Sequence, residues 1–572
     1  MCGIFCAISP EHNVNCQNRL HRALRKLLRN RGPDVQDELI LDQGRVLLAG
    51  NVLWQQGSQK AQKQPVIAGQ YGLLFNGDLY SIEKPSAMSD TTWLANKLES
   101  CDGDSDLISL LKDLKGPHCL VVYNTTTATL YFSRDTLGRN SLLIERGQQG
   151  LNLMSTSYFL EERIEGENTE PMGITLEVPP LGLYKLDIND LSQCVLYPWQ
   201  PLNEYTGKLL SGLESSMQWK VLIENPISPS WLLTNNSQED DNYDFDLYSF
   251  SFKKDFNELY NELLETESIR RTLCTLDKLL SNSVAERVQN TAPVCRNCKT
   301  MKCNHAKVSV LFSGGIDCSI LALLADRFVP SEEPIELINV AFESSSTEGW
   351  NVPDRQTSLQ SLMELQRLCP ERDWRPLNVN VTRLELQHQL ASHIKHLIYP
   401  LQTVLDESLG CAFFFATLAN NSTSRVAILG SGADELFGGY VRHRNAYRRC
   451  TGDEKDRQQA VKDELELDWQ RIPSRNLARD DRVIADNSKT ARAPFIEENV
   501  VQFVRSLEPN QRCCFSFPEG IGDKFLLRLY GYQLGFRSAV QLKKRAIQFG
   551  SRIANKKQQA SQQSDFLRFS FE

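Results

Sequence analysis

The chain has 572 residues, 41% hydrophobic and 23% charged, which is room for two to four domains with full cores and excludes collagen-like and wholly disordered classes. Its 63 Lys and Arg against 71 Asp and Glu give a formal net charge of −8, so nucleic acid is not an expected partner. No apolar run approaches the ~20 residues that span a bilayer, the start Met1-Cys-Gly-Ile-Phe-Cys lacks a basic leader, and the sixteen cysteines are scattered apart from one cluster. A reducing, cytoplasmic location with no membrane partner is the expectation.

In chain order, Leu20, Leu24, Leu27 and Leu28 share one face of a predicted helix over 18–30. Short strands follow at 45–49, 72–75, 119–123 and 129–133, punctuated by Gly, Asn and Asp. Together they predict a sheet-rich unit over 2–186. Residues 187–266 read as an insert, with an acidic surface loop or disordered stretch near 235–242. A helix is predicted from Ile269, Leu273, Leu276, Leu280, Val284 and Val288. The run Val308-Ser-Val-Leu-Phe suits a buried parallel strand, and strands at 337–342 and 425–429 alternate with helical patterns. That alternation predicts a doubly wound α/β unit over 267–552. The polar tail, 553–572, is expected to be disordered.

Removal of the initiator methionine would make Cys2 the first residue. Its thiol would then lie beside its own α-amino group, pKa ~8, so nucleophile and base share one residue. A buried, inert thiol is the alternative. Five segments recur in order: Met1-Cys-Gly-Ile-Phe, Arg31-Gly-Pro-Asp34, Phe75-Asn-Gly-Asp-Leu-Tyr80, Ser89-Asp-Thr91 and Arg134-Asp-Thr-Leu-Gly138. Together they resemble the class II, N-terminal-nucleophile glutamine amidotransferase domain, which implies an αββα sandwich. The resemblance makes Cys2 the nucleophile and gives the oxyanion hole to the Asn76 side chain and the Gly77 N–H. Two such fixed donors are worth several kcal/mol. It also assigns the α-amino group of glutamine to Asp90. Taken alone, Asn76-Gly77 would suit a type I′ turn, and Asp90 a helix cap. One departure stands out: Val52 occupies the place where the family carries an Arg that clamps the glutamine carboxylate.

Farther along, Ser313-Gly314-Gly315-Ile-Asp317-Cys-Ser319 follows a predicted strand and opens a helix. Glycines let the backbone approach a phosphate, and the helix N-terminus favours its charge; a tight βα turn is the plainer reading. A second strand ends in Gly430-Ser-Gly432-Ala-Asp434-Glu435, and Lys544 and Arg545 lie beside a Gly-Ser turn. These motifs, with Asp481-Arg482 and Ala491-Arg-Ala-Pro-Phe495, resemble the synthetase half of the glutamine-hydrolysing asparagine synthetases, above all its divergent asparagine synthetase domain-containing group. The implied fold is a doubly wound PP-loop ATP pyrophosphatase domain. The implied ATP and pyrophosphate site comprises Leu311, Ser313, Gly314, Gly315, Asp317, Ser319, Val340, Gly430, Lys544 and Arg545, with Asp317 and Asp434 holding Mg²⁺. Ser431 stands where the family carries a Glu that serves ammonia attack, and serine cannot act as a carboxylate base near neutral pH.

Cys295-x2-Cys298-x4-Cys303-x-His305 offers four soft ligands for a structural Zn²⁺, or else a reduced surface loop. The expected activity is glutamine-dependent, ATP-consuming conversion of aspartate to asparagine through an acyl-adenylate, with glutamine, ATP and aspartate as small-molecule partners. A catalytically impaired scaffold, or a ligase for another carboxylate, are the alternatives.

Overall fold

The computed structural model describes residues 2–11, 16–57, 60–159, 173–233, 243–253, 255–298, 303–343, 349–554 and 559–567. The first half contains β1 (Gly3–Ile8), β2 (Val35–Leu41), β3 (Val46–Val52), β4 (Val66–Ala68), β5 (Tyr71–Gly77), β6 (His118–Asn124), β7 (Thr129–Arg134), β8 (Leu143–Gly147), β9 (Gly150–Met154), β10 (Ile174–Glu177), β11 (Gly182–Asp187), β12 (Gln193–Pro198) and β13 (Lys220–Ile223). They form two sheets, ordered β10-β8-β9-β1-β3-β2 and β13-β12-β11-β7-β6-β5-β4.

Side chains alternate across each strand, and here both faces are covered. Ile4, Cys6, Ile8, Val46 and Leu48 point inward to meet Leu74, Val121 and Phe132 of the second sheet. Phe5, Ala7, Leu47 and Ala49 point outward against Leu20, Leu24 and Leu28. On the far side, Leu73, Phe75, Leu120 and Val122 meet Leu94, Leu98, Leu107 and Leu111 from the helices Asp90–Glu99 and Asp104–Lys112. The result is the αββα sandwich that the resemblance implied. The predicted helix over 18–30 begins later, at Arg22–Arg31, because the His21 ring accepts the Leu24 N–H and caps it there.

The expected boundary at 186 is wrong. β12 and β13 pair in parallel and extend the second sheet. The helix Glu204–Met217 between them sends Leu210, Leu213 and Met217 into the core between the sheets. The rest of the supposed insert joins the other half: Phe245, Leu247, Leu259, Tyr260 and Leu263 belong to the synthetase-side core. The described residues of 187–266 are therefore divided between two existing cores, while the acidic stretch near 235–242 lies outside the described residues.

The second half carries β14 (Val308–Leu311), β15 (Ile335–Phe342), β16 (Trp374–Val381), β17 (Val426–Ile428) and β18 (Thr490–Arg492). All are parallel, in the order β16-β15-β14-β17-β18. The order reverses between β14 and β17, which places a crevice at their carboxyl ends. The helix Glu267–Gln289 buries all six residues of its predicted stripe. The tail expected to be disordered is in part docked. Val404 and Leu405 donate backbone hydrogen bonds to Gln562 and Ala560, Ser564 donates back to Gln402, and Leu567 is fully buried. A tail poor in apolar residues hides this docking, since it depends on backbone pairing and one leucine. Among the described residues no helix is long and apolar enough to cross a membrane.

The halves meet across ion pairs, three of them buried on both sides: Arg31–Asp481 (3.1 Å), Asp78–Arg492 (2.9 Å) and Arg139–Glu498 (2.6 Å), with Asp34–Arg425 (2.7 Å) and Glu177–Arg482 nearer the surface.

Candidate functional sites

Cys2 precedes β1, between the sheets, and is 8% exposed. Its backbone N–H donates to Asn76 Oδ1 at 2.5 Å, and Gln64 Nε2 donates to its Sγ at 3.7 Å. Asn76 and Gly77 lie in β5, in register with Cys119 and His118 of β6, so this dipeptide is not a hairpin turn. Asn76 is held at both ends of its carboxamide, its Nδ2 donating to Cys119 Sγ at 3.5 Å. Burial pushes the Cys2 thiol pKa up, with Leu53 N–H and Arg31 pulling the other way. A thiol so placed needs a local base to react.

Asp90 is not the cap of its helix. Ser89 caps it by accepting from Thr92 N–H, which leaves the Asp90 carboxylate facing Leu79 N–H (2.7 Å) and Lys84 Nζ (3.1 Å). Burial lifts its pKa to about 6, with Lys84 opposing. Asp78 lies in the same cluster, bonded to Gln56, Tyr80 and Arg492. Val52 is buried in the core between the sheets and brings no cation. The buried cation next to Cys2 is Arg31, whose Nε donates to the Cys2 carbonyl at 3.2 Å.

In the second half, the loops after β14 and β17 face one another across the crevice. Gly314 has φ +79° and a Cβ there would lie 2.3 Å from the Thr357 backbone, so only glycine fits. A Cβ on Gly430 would come within 3.1 Å of Asp317 Cβ. The loops bound a cavity of about 390 Å³. Leu311, Ser313, Gly315, Asp317, Val340, Gly430, Asp434, Lys544 and Arg545 all line it. Two expected members do not: Gly314 shapes the turn from behind, and Ser319 is fully buried within the helix Ile316–Asp326.

Lys524, absent from the sequence reading, joins this site. Its ammonium contacts both Asp317 oxygens (2.7 and 2.6 Å) and Asp434 Oδ1 (3.0 Å), while Lys544 reaches Asp434 Oδ2 at 2.5 Å. Burial alone would raise the Asp434 pKa, but the two lysines outweigh it and hold the carboxyl well below the usual range. Glu435, beside it, is different. Burial and the Asp434 charge lift its pKa to about 7, although Tyr440 O–H donates to it at 2.7 Å. Asp480 also lines the cavity and is lifted by burial to about 6. The signals for these groups were weak: Glu435 is the neighbour of a chosen residue, and Lys524 follows the glycine pair Gly520 and Gly522.

Cys295, Cys298, Cys303 and His305 bring one ligand atom each within 4.8 Å of one another.

The family model described as "Glutamine amidotransferase domain" matches residues 1–169, and that described as "Asparagine synthase" matches 299–456 and 447–529. The chain is 56% identical to "Asparagine synthetase domain-containing protein CG17486" of Drosophila melanogaster, over 99% of this chain and 100% of the relative. It is 32% identical to "Asparagine synthetase domain-containing protein 1" of Gallus gallus, over 97% of each. To "Asparagine synthetase domain-containing protein YML096W" of Saccharomyces cerevisiae it is 28% identical, over 87% of this chain and 82% of that one.

Proposed function

The chain belongs to the asparagine synthetase domain-containing family, in which a glutamine amidotransferase domain precedes an asparagine synthase-like ligase domain, and on that premise we propose that it converts aspartate to asparagine with glutamine and ATP. The observation that carries the reading is the pairing of two loops at the β14–β17 switch point, with Asp317, Asp434 and Lys544 lining one cavity and the buried Lys524 paired with both aspartates.

In the first site, the Cys2 sulfur attacks the glutamine carboxamide and forms a C–S bond. The freed α-amino group takes the thiol proton and passes it to the leaving nitrogen, so ammonia departs and water later hydrolyses the thioester. Asn76 and Gly77 supply donors for the oxyanion. Asn76 Oδ1, tied to the Cys2 nitrogen, keeps the carboxamide oriented.

In the second site, Ser313 and Gly315 present the backbone of the loop and the start of the helix to phosphate. Asp317 and Asp434 are hard oxygen donors that fit Mg²⁺. The Lys524 ammonium already held between them shows that their geometry suits a cation. Bound Mg²⁺ would supply charge neutralisation for the pyrophosphate leaving group. Lys524, Lys544 and Arg545 would stabilise the same charge. The aspartate carboxylate displaces pyrophosphate from the α-phosphorus, and ammonia displaces AMP from the acyl carbon. Glu435 then offers a base for the proton that ammonia must lose. The free thiol at Cys2 fits a reducing cytoplasm, which fractionation of cells would test.

Val52 and Ser431 favour a second reading, a folded scaffold with impaired chemistry. Glutamine hydrolysis and aspartate-dependent AMP formation measured on the purified chain separate the two. Cys2→Ala should abolish the glutamine-driven reaction and spare the ammonia-driven one, and Asp317→Ala should abolish AMP formation. Turnover of neither half in the intact protein would sink the ligase reading, and turnover with another carboxylate only would relocate the substrate.

A further inference from the structure

The segment that joins the helix Glu267–Gln289 to β14 carries Cys295, Cys298, Cys303 and His305, which have no part in the chemistry above. All three cysteines are free thiols. A tetrahedral ion with Zn–S of about 2.3 Å and Zn–N of about 2.0 Å sets S···N edges near 3.5 Å and S···S edges near 3.8 Å. Here His305 Nδ1 is 3.5 Å from Cys295 Sγ and 3.1 Å from Cys298 Sγ. The four ligand atoms all fall within 4.8 Å of one another, so closing around one ion needs only sub-ångström shifts. The Cys-x2-Cys turn also aims the Cys298 N–H at Cys295 Sγ, at 3.2 Å.

We propose that these four side chains hold one structural Zn²⁺ ion. Three thiolates and one imidazole close a tetrahedral shell, leaving no open position for catalysis. The surroundings give the ion a mechanical task. Arg296 N–H pairs with the Thr423 carbonyl at 2.8 Å, which straps the knuckle to the approach of β17. Arg425 Nε donates to the Cys295 carbonyl at 3.3 Å, and its Nη1 donates to Asp34 of the amidotransferase domain at 2.7 Å. Zinc at the knuckle therefore fixes one end of a strut, Cys295–Arg425–Asp34, that crosses between the two domains. This assignment is independent of the ligase reading and survives its failure.

The test uses the full chain, purified under reducing conditions, with metal content and melting temperature as readouts. The expected results are one zinc per chain by elemental analysis, thiolate-to-metal absorption on exchange with Co²⁺, a chelator-induced fall in melting temperature, and its recovery when Zn²⁺ alone is added back. His305→Cys should keep zinc, because it completes a four-thiolate shell, whereas Cys303→Ala should lose it. His305→Cys guards against misfolding of Cys303→Ala being taken for lost ligation. A folded wild-type chain that holds less than about a tenth of an equivalent after equilibration with Zn²⁺ would overturn the proposal. So would iron in place of zinc, or a disulfide between two of the three cysteines in the chain as purified under reducing conditions.

Discussion

Ser431 and Glu435 both line the cavity beside the loop after β17, and of the two only Glu435 carries a carboxylate. With its pKa lifted to about 7 by burial and the Asp434 charge, Glu435 is increasingly ionised as pH rises through 7, and only the ionised form can accept a proton. Glu435→Gln should therefore slow ammonia-driven amide formation about 10²- to 10⁴-fold. The ratio of wild-type to variant rates should grow as pH rises through 7. A ratio flat with pH would remove Glu435 from the proton path; comparing the two proteins cancels the change in free ammonia. Lys524 makes a second case at this scale. Lys524→Met takes from Asp317 and Asp434 the one lysine that contacts both and leaves Lys544 against Asp434, so AMP formation should fall steeply while glutamine hydrolysis, in the other domain, continues. Parallel assays of the two half-reactions check it.

The helix Ala478–Ala485 is the element on which both domains converge. Asp480 lines the ATP-side cavity, Asp481 pairs with Arg31 beneath Cys2, and Arg482 pairs with Glu177. Three consecutive charged residues fan out around one turn, so each reaches a different partner. Asp481→Asn leaves the Arg31 guanidinium buried without its counter-ion, a change that typically costs about 3–5 kcal/mol. Urea melts of the full chain should show that loss. A shift under about 1 kcal/mol would mean that water or another group takes over the pairing. β18 acts in the same way: Arg492 at its end holds Asp78 next to Asn76 and Gly77 while lying in register with Ile428. One strand thus links the surroundings of Asn76 and Gly77 to the strand that carries the second loop of the cavity.

At the scale of the whole molecule, the seam of ion pairs makes the two domains a single structural unit. The C-terminal segment adds a closure of its own. Residues 559–567 pair with the backbone around Thr403, bury Leu567, and place Ala560 in the wall of the ATP-side cavity. Deleting residues 559–572 should lower stability by about 2–4 kcal/mol, from one buried leucine and a few backbone hydrogen bonds. It should also raise the KM of the synthetase substrates while sparing glutamine hydrolysis. Thermal melts and the two separate assays would show whether the losses travel together. An unchanged KM would confine the segment to stability.

Several features were legible from the residues because they obey local rules. Glycine at 314 is required by a positive φ and a close neighbour. The stripe from Ile269 to Val288 has helical period, and the run from Val308 to Leu311 is the apolar strand of a parallel sheet. The β12–β13 extension was hidden because Gly207 and Gly212 weaken the helical signal between them. The docked tail was hidden because backbone pairing leaves no trace in composition.

The sequence by itself determined the two glycine-bearing loops at strand ends, the cysteine at position 2 and the order of the domains, since each depends on residues near one another in the chain. Only the tertiary structure decided that Lys524 stands between Asp317 and Asp434, that Glu435 and Asp480 line one cavity, and that Arg31 links Cys2 to Asp481. Those are encounters between segments as much as 450 positions apart. Charge and burial at such points come from packing, which no local spacing records.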